Sequence, residues 1–255
     1  MIGAIIGDIV GSTYEFQNTN DYNFELFPEG SSYTDDTICT IAIADAILRG
    51  VPYKESLVEW CKKYPEKRGL FGGAFSHWIY EAPVPYDSFG NGAAMRVSPV
   101  GWTFDDALDV LNEAKKTSEC SHSHEEGIKG ARAIAFAVYF LSHHCFEDGR
   151  KEAWAWCEQL YGKDYIERLP KKGEWNATCQ GCVPLALHLF SLSKSFEDAI
   201  RLAISYGGDS DTLGAIIGSL AGAYYNIPKE IEEKALSYLP QEMLDVINKF
   251  NDKYL

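Results

Sequence analysis

The sequence has neither an apolar run long enough to cross a bilayer nor an excess of basic residues. Its longest apolar stretch, 213–225, is shorter than the roughly 20 residues of a membrane helix, and glycine and serine interrupt it. Lysine and arginine number 23 against 37 acidic residues, which gives a formal net charge of −14. Because affinity for a phosphate backbone depends on basic side chains that displace counterions, this balance argues against nucleic acid as a partner. We therefore predict a soluble protein that acts on neither membranes nor nucleic acid.

The cysteines do not form the pattern of a secreted disulfide scaffold. They number seven, which is odd, and no basic segment followed by an apolar one opens the chain. Cys179 and Cys182 form a CxxC pair, but no second pair completes a zinc site. These features predict a cytoplasmic protein with reduced thiols.

Alternating segments at hairpin spacing are also missing, whereas helical periodicity is widespread. Segment 196–207 has apolar residues on one face and ends at glycine, and 104–116 has acids in its first turn and lysines in its last. Segment 124–144 is predicted to be a core helix. Further helices are expected at 38–48, 54–63, 182–192, 211–224, 229–238 and 240–252. The sequence therefore predicts an all-α fold, and its 255 residues suit one domain, 1–255.

Two short segments combine paired carboxylates with threonine at the start of an apolar helix. They are YTDDT and GGDSDT, and their candidate ligands are Thr34, Asp35, Asp36, Asp209, Asp211 and Thr212. Each segment alone is equally typical of helix capping, since Asp and Thr accept hydrogen bonds from the N–H groups of a first turn. Together they form an all-oxygen set that suits Mg²⁺ or Mn²⁺ better than zinc. Converging carboxylates would repel one another, so a cation is predicted between them.

Glycines recur every four residues in the segment 211–224, at Gly214, Gly218 and Gly222. Each weakens the helix by roughly 1 kcal/mol relative to alanine. A bare stripe of this kind lets another backbone approach closely, so it predicts tight helix packing. Such packing would hold the aspartate-bearing start of this helix rigid.

Two other segments carry candidate site residues. In GDIVGSTYEF, Asp8 and Glu15 are seven residues apart and would share one face of a helix, although Gly11 weakens that helix. In SFGNGAAMRVSPVG, Gly90-Asn91-Gly92 is a turn whose backbone N–H groups could cradle an anion. An isolated GNG is nevertheless most often a turn without a ligand.

The ordered set GDIVGSTYE, YTDDT, GNGAAMRVSPVG, SHSHEEGIKGA and GGDSDTLGAIIGSLAGAYY resembles the ADP-ribosylglycohydrolase family over residues 3–228. The resemblance implies a compact all-α fold with a central site for two Mg²⁺ ions, or Mn²⁺ in their place. It implies that the six oxygen donors named above bind these ions. It also implies that Glu15 and Asp36 are catalytic and that the enzyme removes ADP-ribose from a modified acceptor.

Six residues are predicted to contact the substrate: Ser88, Gly90, Asn91, Gly92, His122 and Tyr206. The resemblance places 90–92 on the loop that contacts ADP-ribose, and His122 near the phosphates, with Ser121 in place of a threonine. Tyr206 could stack on the adenine or the ribose, although core packing is an equal alternative.

Two positions depart from the family pattern. Ser88 stands where members of the dinitrogenase reductase type have an aspartate, and Ser210 replaces the usual threonine of the second motif. The first departure leaves the acceptor open: arginine, serine, a nucleic-acid base or a small metabolite such as O-acetyl-ADP-ribose.

Three classes of function follow. The first is a monomeric ADP-ribosyl hydrolase, in which the metals would bind the ribose diol. Glu15 would act either as the base that activates a water molecule or as the acid that protonates the leaving group. Its partner would be an ADP-ribosylated protein or a small molecule that contains ADP-ribose. The second class is a non-catalytic ADP-ribose-binding or structural relative, and the third is a two-metal nucleotide phosphohydrolase. The retention of Glu15 and all four motif aspartates favours the hydrolase.

Overall fold

Helices build the architecture of the chain. The computed structural model describes residues 1–143 and 148–255, with the backbone alone at Arg68, and within these residues only isolated β-bridges occur. The all-α prediction is confirmed. The α-helices are α1 (Ile2–Gly11), α2 (Asp35–Arg49), α3 (Tyr53–Lys63), α4 (Gly73–Tyr80), α5 (Gly92–Met95), α6 (Ser98–Thr103), α7 (Ala107–Glu119), α8 (Glu125–His143), α9 (Gly149–Tyr161), α10 (Cys179–Leu192), α11 (Phe196–Tyr206), α12 (Ser210–Tyr224), α13 (Lys229–Leu236) and α14 (Gln241–Tyr254). Two 3₁₀-helices cover Pro65–Leu70 and Tyr165–Arg168.

Every helix predicted from periodicity is present, with ends displaced by at most three residues where they are described. The predicted end of α8 at 144 lies outside the described residues, as does Cys145. The other six cysteines are free thiols. Within the described part of the chain, no helix has the length and apolar character needed to cross a bilayer.

Helix α1 packs directly against α12 through facing glycines. Gly7 and Gly214 approach so closely that a Cβ on either residue would collide with the carbonyl of the other, and a Cβ on Gly11 would lie 2.5 Å from the Cα of Asp211. The tight packing predicted for the glycine stripe is therefore confirmed. It stabilises α1, whose own glycines disfavour a helix, and it fixes Asp8 beside the start of α12.

The centre of the fold is where three helix ends meet. Helices α1, α2 and α12 are buried along most of their length. The first turns of α2 and α12 carry the two acidic motifs, and the last turn of α1 carries Asp8. Helix α1 ends at Gly11, and Glu15 lies in the bend that follows, so the expectation that Asp8 and Glu15 share one helix face is wrong.

Candidate active site

Carboxylates from both acidic motifs converge at this centre. Oxygen atoms of Asp8, Asp36 and Asp211 lie within 4.8 Å of one another, and so do those of Glu15, Asp209 and Asp211. Because Asp211 belongs to both groups, the carboxylates form one continuous cluster. The two motifs, far apart in the sequence, thus lie together as predicted.

Asp8 holds the start of α2 in place. Its carboxylate accepts hydrogen bonds from the Thr34 backbone N–H at 2.9 Å, the Thr34 hydroxyl at 2.6 Å and the Thr37 N–H at 3.1 Å, and from the Thr37 hydroxyl. Asp8 therefore caps the first turn of α2 from another helix. The Thr34 hydroxyl gives its one hydrogen to Asp8, and its oxygen accepts from the Asp36 backbone N–H at 3.3 Å, so one lone pair stays available to a cation.

Asp36 supplies the clearest sign that a cation belongs here. Its Oδ2 accepts a hydrogen bond from the Thr212 hydroxyl at 3.2 Å. Its Oδ1 is buried and has no hydrogen-bond partner among the described residues. A buried carboxylate oxygen without a donor is costly, whereas a hard cation would satisfy it. The donors around it are carboxylate and hydroxyl oxygens, so the residues present fit a divalent cation of this type.

Asn91 connects the GNG loop to the cluster. Its side-chain amide donates to Asp209 Oδ2 at 2.7 Å and lies 3.5 Å from the Cys182 sulfur. In the same cluster, the Thr212 backbone N–H donates to Asp211 Oδ1 at 2.9 Å. Asn91, predicted as a substrate contact, therefore also orients one of the predicted metal ligands.

Burial of the cluster raises the pKa of each aspartate: Asp8, Asp35, Asp36, Asp209 and Asp211. The negative charges of neighbouring groups raise the pKa of Asp35, Asp36 and Asp211 further. Partial burial, followed by the charges of Asp209 and Asp8, raises the pKa of Glu15 to about 7. Without a cation, the cluster therefore resists full ionisation at neutral pH.

Metal-free protein is expected to lose stability as the pH rises from about 5 to 8. The folded state holds protons on these aspartates at pH values where the unfolded chain has released them, and each pKa unit of difference costs about 1.4 kcal/mol. Thermal unfolding in EDTA would show a falling Tm, and added Mg²⁺ should restore stability most at the alkaline end. High salt, which screens the exposed charges, serves as the control. A Tm that stays constant or rises over this range would contradict the burial of these carboxyls.

A cleft of about 300 Å³ opens over the cluster. Its lining includes five of the predicted substrate contacts, namely Ser88, Gly90, Asn91, Gly92 and His122. It also includes side chains that were not predicted to contact the substrate, among them Phe75, Tyr86, Met95, Arg96 and Trp175. Tyr206 is not part of this lining, and its hydroxyl donates to the Pro170 carbonyl at 2.6 Å.

The GNG loop does not offer all its backbone N–H groups to a ligand. The Gly90 N–H donates to Ser88 Oγ at 3.1 Å, and the Asn91 N–H donates to the Ala177 carbonyl at 3.0 Å. The predicted anion cradle is therefore wrong for these two groups. The bond from Asn91 instead fixes the loop against the segment before α10, and the bond from Gly90 lies within the loop.

The glycines of this loop make room for His122. A Cβ on Gly92 would lie 3.0 Å from His122 Nε2, and one on Gly90 would lie 3.4 Å from it. The His122 side chain is buried, and its Nδ1 lies 2.9 Å from Ser121 Oγ. Burial, and next the charge of Arg96, lower the pKa of His122 well below its usual value. The imidazole is therefore neutral at physiological pH.

A second cavity of about 370 Å³ lies between α8 and α9. Its described lining is mostly apolar, with Phe136 and Trp156, and Glu152 is its one titratable side chain. This cavity therefore lacks the carboxylate cluster that lies below the first cleft.

Several proteins of similar sequence have names that identify them as ADP-ribosyl hydrolases. ADP-ribosylhydrolase ARH3 of Bos taurus is 25% identical, over 97% of this chain and 89% of that protein. ADP-ribosyl-[dinitrogen reductase] glycohydrolase of Rhodospirillum rubrum is 25% identical, over 89% of this chain and 84% of that protein. A solved structure described as an ADP-ribosylglycohydrolase-related protein complex superimposes with a TM-score of 0.72 at 21% identity. The match covers 100% of this chain and 97% of the chain in that structure, and it confirms the fold. The model of the family described as ADP-ribosylglycohydrolase matches residues 1–254, and the chain therefore belongs to the ADP-ribosylglycohydrolase family.

Proposed function

We propose that this protein is a Mg²⁺-dependent hydrolase that cleaves the glycosidic bond between ADP-ribose and a modified acceptor, with release of ADP-ribose. Membership in a glycohydrolase family confirms the predicted enzyme class. One observation supports the proposal most strongly. The carboxylates of both acidic motifs lie together below one cleft, and the buried Oδ1 of Asp36 has no hydrogen-bond donor among the described residues. The acceptor would be a protein side chain or a small molecule, and the whole chain, 1–255, would act as one domain.

Six residues would hold the metal: Thr34, Asp35, Asp36, Asp209, Asp211 and Thr212. We propose two Mg²⁺ ions, with Mn²⁺ able to replace them, since the carboxylates of the cluster, including Asp8 and Glu15, form two groups that share Asp211. Bound ions would supply Lewis-acid polarisation of the ribose hydroxyls or of a water molecule. Asp8 would act through its hydrogen bonds to Thr34 and Thr37, which fix the first turn of α2.

The acidic cluster suits the charge that develops during the reaction. Cleavage at the anomeric carbon of ribose creates an oxocarbenium-like centre with positive charge, which nearby carboxylates stabilise. Glu15 is half-buried beside Asp209 and Asp211, at the edge of the cluster that faces the cleft. We assign it the role of general base that takes a proton from the attacking water.

The rest of the cleft would hold ADP-ribose. Ser88, Gly92 and His122 lie along its lining and would contact the nucleotide or the diphosphate. The exposed Trp175 side chain stacks on Phe16, with ring centroids 5.8 Å apart, at the open side of the cleft near Glu15. The predicted contact of Tyr206 stays a prediction.

The direct test is product analysis by mass spectrometry. Arginine-linked and serine-linked ADP-ribosyl peptides and O-acetyl-ADP-ribose would be incubated with the protein in Mg²⁺ and, in parallel, in EDTA. We expect free ADP-ribose from at least one substrate, and only with the metal. The substrate consumed identifies the acceptor. Release of phosphate or a nucleoside monophosphate would indicate a phosphohydrolase instead, and release of nothing would contradict a hydrolase for these three acceptors.

A further inference from the structure

A chain of hydrogen bonds runs from a buried arginine to the wall of the cleft. Arg96 is fully buried, and its Nη2 donates to Ser121 Oγ at 2.8 Å and to the Thr117 carbonyl at 2.8 Å. Ser121 Oγ in turn lies 2.9 Å from His122 Nδ1. Three consecutive side chains therefore link a fixed positive charge to the cleft.

The chemistry of these groups fixes the direction of each hydrogen bond. A guanidinium can only donate, so Ser121 Oγ accepts from Arg96. The serine hydroxyl then has one hydrogen, and His122 Nδ1 is the acceptor within reach. If Nδ1 carried the proton, the hydroxyl of the fully buried Ser121 would lose its nitrogen acceptor and keep only the weakly accepting Cys120 sulfur, which is costly. Nδ1 is therefore the acceptor, and the neutral ring carries its hydrogen on Nε2.

The far end of this chain opens into the cleft. His122 Nε2 faces the two glycines of the GNG loop, and it has no hydrogen-bond partner within 1–143 and 148–255. A donor held in this position is left for a ligand. Cβ atoms on Gly90 or Gly92 would crowd it, so the glycines keep the approach to Nε2 open.

We propose that Arg96 and Ser121 are positioning residues that hold His122 in the Nε2–H tautomer, as a neutral donor to an anionic phosphate oxygen of the substrate. The proposal rests on the ADP-ribosyl substrate of the proposed function. All three donors point the same way, so each bond polarises the next and the arginine charge strengthens the last donor. The site thereby favours an anion without a cationic side chain exposed in the cleft.

Other contacts hold the arginine in this role. Its guanidinium carbon lies 5.4 Å from the centre of the Phe75 ring, which is within the range of a cation–π contact. The Ser118 hydroxyl donates to the His122 carbonyl at 2.8 Å, which fixes the backbone of the same turn. We call the hydrogen-bonded side chains of Arg96, Ser121 and His122 the relay. Contacts fix both of its ends, and none of these contacts involves His122 Nε2.

The tautomer can be measured without any turnover. The protein would be labelled with ¹⁵N, and the two ring nitrogens of His122 would be assigned in long-range ¹H–¹⁵N spectra by comparison with a His122→Gln variant. We expect a protonated Nε2 and an unprotonated Nδ1 in the wild-type protein. Ser121→Ala should give a mixture of tautomers, and Ser121→Thr, which restores the hydroxyl, should behave like the wild type. A proton on Nδ1 in the wild type would overturn the proposal.

Ligand binding tests the other end of the relay. ADP-ribose affinity would be measured by calorimetry, and we expect Ser121→Ala to weaken it about tenfold, with Ser121→Thr close to the wild type. Ser123→Ala is the matched control, because that hydroxyl donates to the Tyr86 carbonyl and makes no bond to the imidazole. In the wild type, saturation with ADP-ribose should shift the Nε2 resonance. Unchanged affinity in Ser121→Ala, or an unmoved Nε2 resonance at saturation, would overturn the donor role.

These outcomes separate the relay from the proposed function. If ADP-ribose did not bind, the proposed function would fail, and the tautomer spectra of the wild type and Ser121→Ala would still decide whether Arg96 and Ser121 fix the ring. If ADP-ribose bound and was released as a product while His122 occupied the Nδ1–H form, the function would stand and the relay would fail.

Discussion

The Asp36→Asn variant is expected to lose at least about 10²–10³-fold in turnover, the loss typical of one electrostatic group at a reacting centre. Its Mg²⁺ affinity should also fall, by more than about 100-fold. Removal of a residue that only hydrogen-bonds a metal ligand typically costs about 10–100-fold, and Asp36 is proposed to bind the metal itself. The reason is the buried Oδ1 of Asp36, which has no donor among the described residues and is therefore free to bind the cation. Turnover would be followed by ADP-ribose release, and Mg²⁺ affinity by calorimetry.

The stability of this variant gives an independent readout. In EDTA at about pH 8, Asp36→Asn should be at least as stable as the wild type, because it removes one of several buried carboxyls that repel one another. Asparagine also keeps an oxygen that can accept from the Thr212 hydroxyl. Added Mg²⁺ should raise the Tm of the wild type far more than that of the variant.

Asp252→Asn is the matched control, because it makes the same chemical change at an exposed position on α14. It should retain activity and the full effect of Mg²⁺. If Asp36→Asn kept full activity, or gained as much stability from Mg²⁺ as the wild type, the two motifs would not form a shared metal site.

The parts of the site that could be predicted from sequence are those written as contiguous motifs. The carboxylate pairs in YTDDT and GGDSDT each stand at the start of an apolar helix. Because an apolar helix is buried, the carboxylates of its first turn are predicted to lie at the core. The glycine stripe of α12 likewise predicted close packing, since no other residue type permits such an approach. Periodicity alone supplied the helices that carry these motifs.

The remaining residues depend on tertiary contacts that no local pattern encodes. Asp8 belongs to the cluster because α1 lies against α12, and the glycines that permit this contact are the same residues that make α1 a weak helix by propensity. Arg96 lies inside GNGAAMRVSPVG, but its burial and its bond to Ser121 depend on the packing of α5 and α7. Trp175 lies in a segment without periodicity, and only the fold brings it to the cleft.

Glu15→Gln is expected to lower kcat by about 10²–10⁴-fold, the usual contribution of a general base. Glutamine has nearly the same size and keeps one oxygen, so the cleft should retain its shape, but the amide cannot take a proton from water. ADP-ribose affinity should stay within about threefold, because the loss belongs to the transition state rather than to ground-state binding. Glu25→Gln, at an exposed glutamate of the same connecting segment, should leave kcat unchanged.

The position of Glu15 allows one competing role, which the same variant can decide. Glu15 shares a cluster with Asp209 and Asp211, so it could act as a metal ligand instead of a base. Loss of a ligand would lower Mg²⁺ affinity along with kcat, and excess Mg²⁺ would restore turnover. Loss of a base would leave Mg²⁺ affinity nearly unchanged and would remove the acidic limb of the pH profile of kcat, at any Mg²⁺ concentration. In the protein without metal, burial and neighbouring charges raise the pKa of Glu15 to about 7, and bound cations would lower this pKa. The acidic limb of the kcat profile should therefore lie below pH 7 in the wild type.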